Sequence, residues 1–411
     1  MIPQRRTRAR AFLLPVALLA LVGGLAHPAA TAGPATLPLV AAPASPPAAA
    51  APASSPLAVG PTGPPLFTGS IPQQARPTYS AYGEKIEAAR AVVLERMDRF
   101  PGLSVSVGVD GQIVWAEGFG WADLEQRVPV RATSGFRVGS VAKPMTAALL
   151  GLLYEEGKID LDATVQTYVA DFPTKEYPIT IRQLAGHLAG IRHYRGNEFL
   201  SSVHYETVSD GLAIFADDPL VFEPGTRYSY SSYGWNLLSA VIEGATGEGF
   251  LEQMQSRVFE PLGMLDTTPD QNEMIVADRV RPYARGDDGK YRNAPYADNS
   301  YKWAGGGFLS TAGDLVRFGL AHMEPGFLEA ETLDEWFTSQ RTADGEETGY
   351  GIGWSVSGQA GSRRVGHGGG SVGGTTVLRL YRDQGLVIAM VTNLSSGSGF
   401  PVEEIAEIFW R

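Results

Sequence analysis

Gly139-Ser140-Val141-Ala142-Lys143-Pro144-Met145-Thr146 runs directly into Ala147-Ala148-Leu149-Leu150-Gly151-Leu152-Leu153. Ser-x-x-Lys at the head of a helix puts a hydroxyl and an amine on one face, one turn apart. A serine hydroxyl is a weak nucleophile until a base takes its proton. A lysine amine that desolvation keeps neutral can be that base. The four-residue pattern is expected by chance about once in a chain of this size. Its context is more telling. Lysine is scarce here, and Lys143 alone has a serine three residues upstream. The helix that follows is apolar nearly all round, which predicts burial. A surface lysine beside a capping serine would not need such a helix.

The composition narrows the alternatives. The chain has 411 residues, 44% of them hydrophobic and 19% charged, enough for one large core. It contains no cysteine, so disulfides, thiolate metal sites and thiol chemistry are excluded. Net charge is −11 with no basic stripe, which argues against nucleic acid as a partner. Residues 1–32 read as a signal peptide. Arg5, Arg6, Arg8 and Arg10 precede an apolar run, and Ala30-Thr31-Ala32 offers a cleavage site. Those four arginines face no acidic residue in the segment, so the remainder carries −15. The expectation is an exported protein, periplasmic or secreted, touching a membrane only through this segment if it stays uncleaved. Residues 33–78 are Ala/Pro/Ser/Gly-rich and uncharged up to Arg76, the composition of a disordered linker.

The folded domain is expected over 79–411. Ile86, Ala89, Val93, Met97 and Phe100 repeat at helical spacing, predicting an amphipathic helix over about 81–99. Leu103–Val109 and Gln112–Gly118 flank Asp110-Gly111, a hairpin signal. Thr376–Tyr381 and Leu386–Val391 flank a second turn, and strands are expected near 352–356 and 363–367. A short amphipathic helix closes the chain over 403–410. Both ends thus supply hairpin strands and a helix. The economical fold is α/β (α+β): one antiparallel sheet with N- and C-terminal helices on its face. Between them, about 130–345 reads as a large, mostly helical insertion with segments near 140–156, 180–188, 208–215, 235–246, 248–258 and 312–323.

Two further stretches carry chemistry. Phe222 to Leu238 is a Pro-Gly turn leading into a helix, and it can present a tyrosine beside the serine. A phenol of lowered pKa would shuttle a proton to a leaving group. Read singly, Tyr228, Tyr230 and Tyr233 are packing aromatics. Gly366-His367-Gly368-Gly369-Gly370 lies at an expected edge strand, where glycine makes sense if backbone or ligand approaches closely. Such a strand can aim an amide at a developing oxyanion. His187 and His193 have no carboxylate at ligand spacing, so no metal or other cofactor is expected, and His187 reads as a core histidine satisfied by backbone.

Ser140-x-x-Lys143, Tyr230-Ser231-Ser232 and His367-Gly368-Gly369, in that order, resemble the three motifs of the serine beta-lactamase and penicillin-binding superfamily, class C-like branch. Gly186–Tyr194 and Asp298–Thr311 are similar to its mitochondrial serine beta-lactamase-like members. The resemblance spans about residue 80 to the end. It implies an acyl-enzyme formed on Ser140, with Lys143 as base and Tyr230 as catalytic phenol. It also implies an oxyanion hole from the amides of Ser140 and Gly370, in a substrate site that includes Ser232, His367 and Gly369. Two departures stand out. Ser232 replaces the asparagine of the second motif, and His-Gly-Gly replaces Lys-Thr-Gly in the third. A lactam carboxylate loses a permanent cation and a hydroxyl donor, which favours small peptide or ester substrates over lactams. Arg363, Arg364 or Lys302 would have to restore a cation. The expected function is a serine hydrolase, first a peptidase, then an esterase, then a beta-lactamase. The contrasting reading is a catalytically weak scaffold or a self-assembling homo-oligomer.

Overall fold

The computed structural model describes residues 81–358 and 363–411. The signal peptide and linker expected over 1–78 lie outside the described residues. Seven strands form one antiparallel sheet: β1 (Gly102–Val109), β2 (Gln112–Asp123), β3 (Val128–Pro129), β4 (Ser355–Ser357), β5 (Arg364–Ser371), β6 (Gly374–Tyr381) and β7 (Leu386–Thr392). Their spatial order is β3-β2-β1-β7-β6-β5-β4. The first and last strands of the described residues therefore meet at the centre, where β1 pairs with β7 in the register Leu103↔Thr392 to Val109↔Leu386.

Alternation within these strands sorts two layers. Leu103, Val105 and Val107 of β1 join Leu386, Ile388 and Met390 of β7 under the terminal helices α1 (Gly83–Leu94) and α5 (Val402–Trp410). Ala89 and Val93 of α1 and Ile405 and Phe409 of α5 complete that layer. The opposite face packs on the insertion. There α4 (Ala312–Ala321) crosses β1 and β7, with Val387, Ala389 and Val391 in the larger core. α2 (Ala142–Glu155) buries all but a few of its residues, as its all-round apolarity requires. α3 (Ser232–Thr246) lies beside it.

The insertion is less helical than expected. The segment expected over 180–188 is a helix only at Ile181–Ala185. It stops at Gly186, and His187 then takes a positive φ of 61°, a conformation no helix continues through. The segment over 248–258 is an α-turn at Phe250–Gln253 followed by a π-helical stretch, Met254–Phe259. A helix at Ala330–Trp336 and a small sheet of Phe136–Arg137, Phe308–Ser310 and Thr268–Pro269 had no clear sequence signal. No described helix is long and apolar enough to cross a membrane.

One contact fixes where α2 begins. β5 has β4 beside it only over 364–366, and further along it meets the turn Gly139–Val141 that starts α2. A Cβ on Gly369 would stand 1.9 Å from the Val138 carbonyl oxygen, whereas one on Gly370 would meet nothing within 4 Å. Gly369→Ala should therefore cost about 3 kcal/mol in urea denaturation, by overpacking strand against turn. Gly370→Ala should change stability by less than about 1 kcal/mol. Equal effects of the two would mean that the close approach is not a constraint.

Candidate active site

Ser140 sits in the turn Gly139–Val141, immediately before α2, and Lys143 lies in the first turn of that helix. Gly139 has φ +52°, and a Cβ there would lie 2.5 Å from the Gly370 carbonyl oxygen. The turn thus depends on glycine, and it leaves Ser140 half-buried under the end of β5. Lys143 is fully buried. Its Nζ is 3.1 Å from Ser140 Oγ, 3.1 Å from Ser232 Oγ and 2.7 Å from the Gly305 carbonyl oxygen. No carboxylate pairs with it among the described residues. Burial, and then the charge of Lys302, hold its pKa well below the usual lysine value. A neutral amine has two protons and one lone pair. The carbonyl of Gly305 only accepts, so it takes one proton, and Ser232 Oγ takes the other. The lone pair is left for the Ser140 hydroxyl.

The second segment is held by histidines. Ser231 caps α3, accepting from Gly234 N–H at 3.2 Å and donating its hydroxyl to the Arg192 carbonyl at 2.7 Å. The backbone N–H of Ser231 donates to His187 Nδ1, and that of Ser232 to His193 Nδ1, each at 3.1 Å. A backbone N–H can only donate, so both imidazoles are neutral with the proton on Nε2. His187 is thus satisfied by backbone on one nitrogen only; its Nε2 is buried without a hydrogen-bond partner. Its ring lies 4.2 Å from that of Tyr230, centroid to centroid. Lys143 Nζ lies 4.8 Å over the Tyr230 ring, which brings the phenol into the surroundings of Ser140. Burial raises the Tyr230 pKa rather than lowering it, contrary to the sequence expectation. The group is a phenol with its proton in place.

The third segment departs from expectation. His367 is buried, with Nδ1 2.6 Å from the Gly368 carbonyl and Nε2 2.9 Å from Tyr350 Oη. The carbonyl fixes the proton on Nδ1, so Nε2 accepts from the tyrosine. Burial lowers its pKa to about 3. The imidazole is therefore neutral near pH 7, and both nitrogens are occupied by protein. Gly370 instead faces the site.

Ser140, Ser232, Gly305, Gly306 and Gly370 share the wall of a cavity of about 420 Å3 with His193, Tyr194, Phe199 and Lys302. Sequence reasoning did not assign His193, Tyr194 and Phe199, although the first two fall in the 186–194 stretch noted for its resemblance. Of the three cations proposed to restore a charge, Lys302 lines this cavity. Arg364 instead pairs with Glu403 at 3.3 Å, and Arg363 is exposed.

Comparison with known proteins finds relatives over most of this chain. The family described as Beta-lactamase matches residues 89–408. The human mitochondrial serine beta-lactamase-like protein LACTB is 32% identical, over 79% of this chain and 80% of its own. Esterase EstB of Burkholderia gladioli is 28% identical, over 63% of this chain and 76% of its own. The octameric penicillin-binding protein homologue from Pyrococcus abyssi superposes with a TM-score of 0.67 at 27% identity. That match covers 78% of this chain and 75% of the other.

The buried histidines make stability pH-dependent. His193 and His322 are lowered by burial to about 4 and His367 to about 3. An unfolded chain binds these protons near 6.5 and the folded one does not, so acid favours unfolding. Their contribution is complete above about 6.5 and is lost as pH falls through the folded values, each unit of separation being worth about 1.4 kcal/mol. Tm should fall steadily from pH 7 to pH 4, and less steeply in His322→Gln. A flat Tm over that window would contradict the neutral assignments.

Proposed function

The chain belongs to the beta-lactamase family of serine hydrolases, and from that premise we propose that it hydrolyses amide or ester bonds through an acyl-enzyme on Ser140. The observation that carries the reading is the buried, carboxylate-free Lys143 amine 3.1 Å from Ser140 Oγ. Lys143 takes the hydroxyl proton as Ser140 attacks the carbonyl carbon. The amides of Ser140 and Gly370 receive the developing oxyanion. The proton passes through Tyr230 to the leaving group, whose departure leaves the acyl ester. Water, deprotonated by the same base, then cleaves that ester and restores the hydroxyl.

The departures from the family motifs bear on substrate. Ser232 directs its oxygen to Lys143, Gly368 offers no hydroxyl, and His367 offers no charge. The position that would hold a lactam carboxylate therefore lacks a cation, which supports a peptidase. The similarity to Esterase EstB keeps ester hydrolysis as the second reading. Export through residues 1–32 belongs to this proposal, the acidic remainder suiting a protein outside the cytoplasm. So does self-association, supported by the octameric relative.

A fluorophosphonate should add one adduct, seen by intact mass and absent in Ser140→Ala. Labelling that survives the substitution would place the nucleophile elsewhere. Lys143→Arg should lose roughly a thousandfold in p-nitrophenyl ester turnover, because arginine keeps its proton. Near-normal turnover in that variant would move the base. Nitrocefin should turn over slowly, and His367→Lys with Gly368→Thr should raise lactam relative to ester turnover. Efficient nitrocefin hydrolysis by the unmodified protein would overturn the substrate ranking.

A further inference from the structure

Lys302 makes and breaks no bond in the chemistry above and acts there only through its field on Lys143, yet its environment is costly. It is 2% exposed, and among the described residues its Nζ has neither an ion pair nor a hydrogen bond. What surrounds it is aromatic: Nζ lies 4.4 Å from the Phe199 ring centre, 5.1 Å from Tyr301 and 5.8 Å from Tyr194. Asp270, the carboxylate whose field reaches it, is spent elsewhere. It pairs with Arg137 Nε at 2.7 Å and accepts from Asn299 Nδ2 at 2.6 Å. A buried ammonium with no anion of its own is destabilising unless something else supplies one. The side chain lines the cavity that holds Ser140, so what supplies it enters with the substrate.

The cavity also indicates which part of the substrate. The leaving group departs toward its proton donor, Tyr230, which is not among the cavity-lining residues. Ser232, His193, Gly306 and Lys302 are, so the cavity receives the acyl part that stays on Ser140. His193 adds a second donor there. Its Nδ1 accepts from Ser232 N–H, which puts the proton on Nε2, and Nε2 has no protein acceptor among the described residues.

We propose that Lys302, assisted by His193 Nε2–H, binds a carboxylate carried on the acyl part of the substrate, so that the enzyme prefers acidic acyl groups. This rests on the acyl-enzyme reading, and it places the substrate's anion in a different place from the third-motif cation that a lactam carboxylate would use. The aromatic walls exclude water and hold the ammonium by its weak attraction to their faces until the carboxylate arrives. A charge-assisted hydrogen bond then replaces that weak attraction.

The test uses two p-nitrophenyl esters that differ at one end: the monoester of adipic acid, with a free carboxylate, and the ester of adipamic acid, with a carboxamide. Each is corrected for spontaneous hydrolysis. The unmodified protein should favour the carboxylate in kcat/KM by about tenfold or more at pH 6, the range of a hydrogen bond to a charged group. Lys302→Met should bring the ratio to about one. Any change it makes at Lys143 affects both esters alike and cancels in the ratio. A second readout needs no variant. Burial, then Arg137, lowers the Lys302 pKa to about 7. The preference should therefore shrink as pH rises from 6 to 8.5. Over that range His193 (about 4) and Tyr194 (about 12) keep their neutral forms, Arg137 remains beside Asp270, and any change at Lys143 acts on both esters alike. A ratio near one in the unmodified protein, or one unchanged by Lys302→Met and by pH, overturns the proposal. Loss of Ser140-dependent turnover of the neutral ester would overturn the acyl-enzyme reading instead, so the two failures are distinguishable.

Discussion

A primary amine with no exposed surface has two ways to survive in a protein: it finds a carboxylate or it gives up its proton. Lys143 finds no carboxylate among the described residues. Its three neighbours are a carbonyl and two hydroxyls, which suit a neutral amine and leave one lone pair free. Much of the fold around it serves that state. α2 is buried along nearly its whole length, so its first turn is dry. The Gly305 carbonyl comes from the Trp303–Gly306 turn, which packs against α2 and α3. A Cβ on Gly305 would approach Asn236 Oδ1 to 2.9 Å, so the turn needs glycine to come this close.

Neutrality recurs in the supporting groups. His187 and His193 each accept a backbone N–H from the segment that follows Tyr230. His367 accepts from Tyr350. Protonating any of the three would put a second cation near Lys143 and break the bond it makes. The site is thus a desolvated cluster of neutral acids and bases, arranged so that one proton leaving Ser140 has a defined route. Lys302 is the exception, a second buried amine with no hydrogen-bonding partner of its own, and its charge helps hold Lys143 neutral.

Periodicity showed the sheet because its strands obey simple rules. Asp110-Gly111 and Gly385 mark their turns, with φ of 47°, 79° and 61°, and the alternation of β1 and β7 matches one face to each layer. The insertion was harder to read. Its chain direction is set by contacts distant in sequence, such as Gly190 against the Phe222 carbonyl, which propensity does not register. Ser140, Lys143, Tyr230 and Ser232 were legible from their motifs, and the structure brings them within reach of one another around the Lys143 amine. The state of Tyr230 and His367 was not legible, because pKa depends on burial, and burial depends on neighbours from other segments. Tyr350, which engages His367, lies in a stretch with no motif at all. Lys302 was legible only as one cation among three; its aromatic surroundings come from Phe199 and Tyr194, about a hundred residues away in the chain.

The protonation state of Lys143 is the claim on which the rest depends, and the sequence makes it measurable, since the chain has six lysines. Protein carrying 13C at lysine Cε can be titrated by NMR, with Lys143 assigned from its loss in Lys143→Arg. The account predicts a Lys143 signal already at its neutral shift at pH 7, apart from the signals of exposed lysines such as Lys158 and Lys290. A Lys143 signal that moves together with those two would contradict it, because the base would then be an ammonium with no lone pair to offer Ser140.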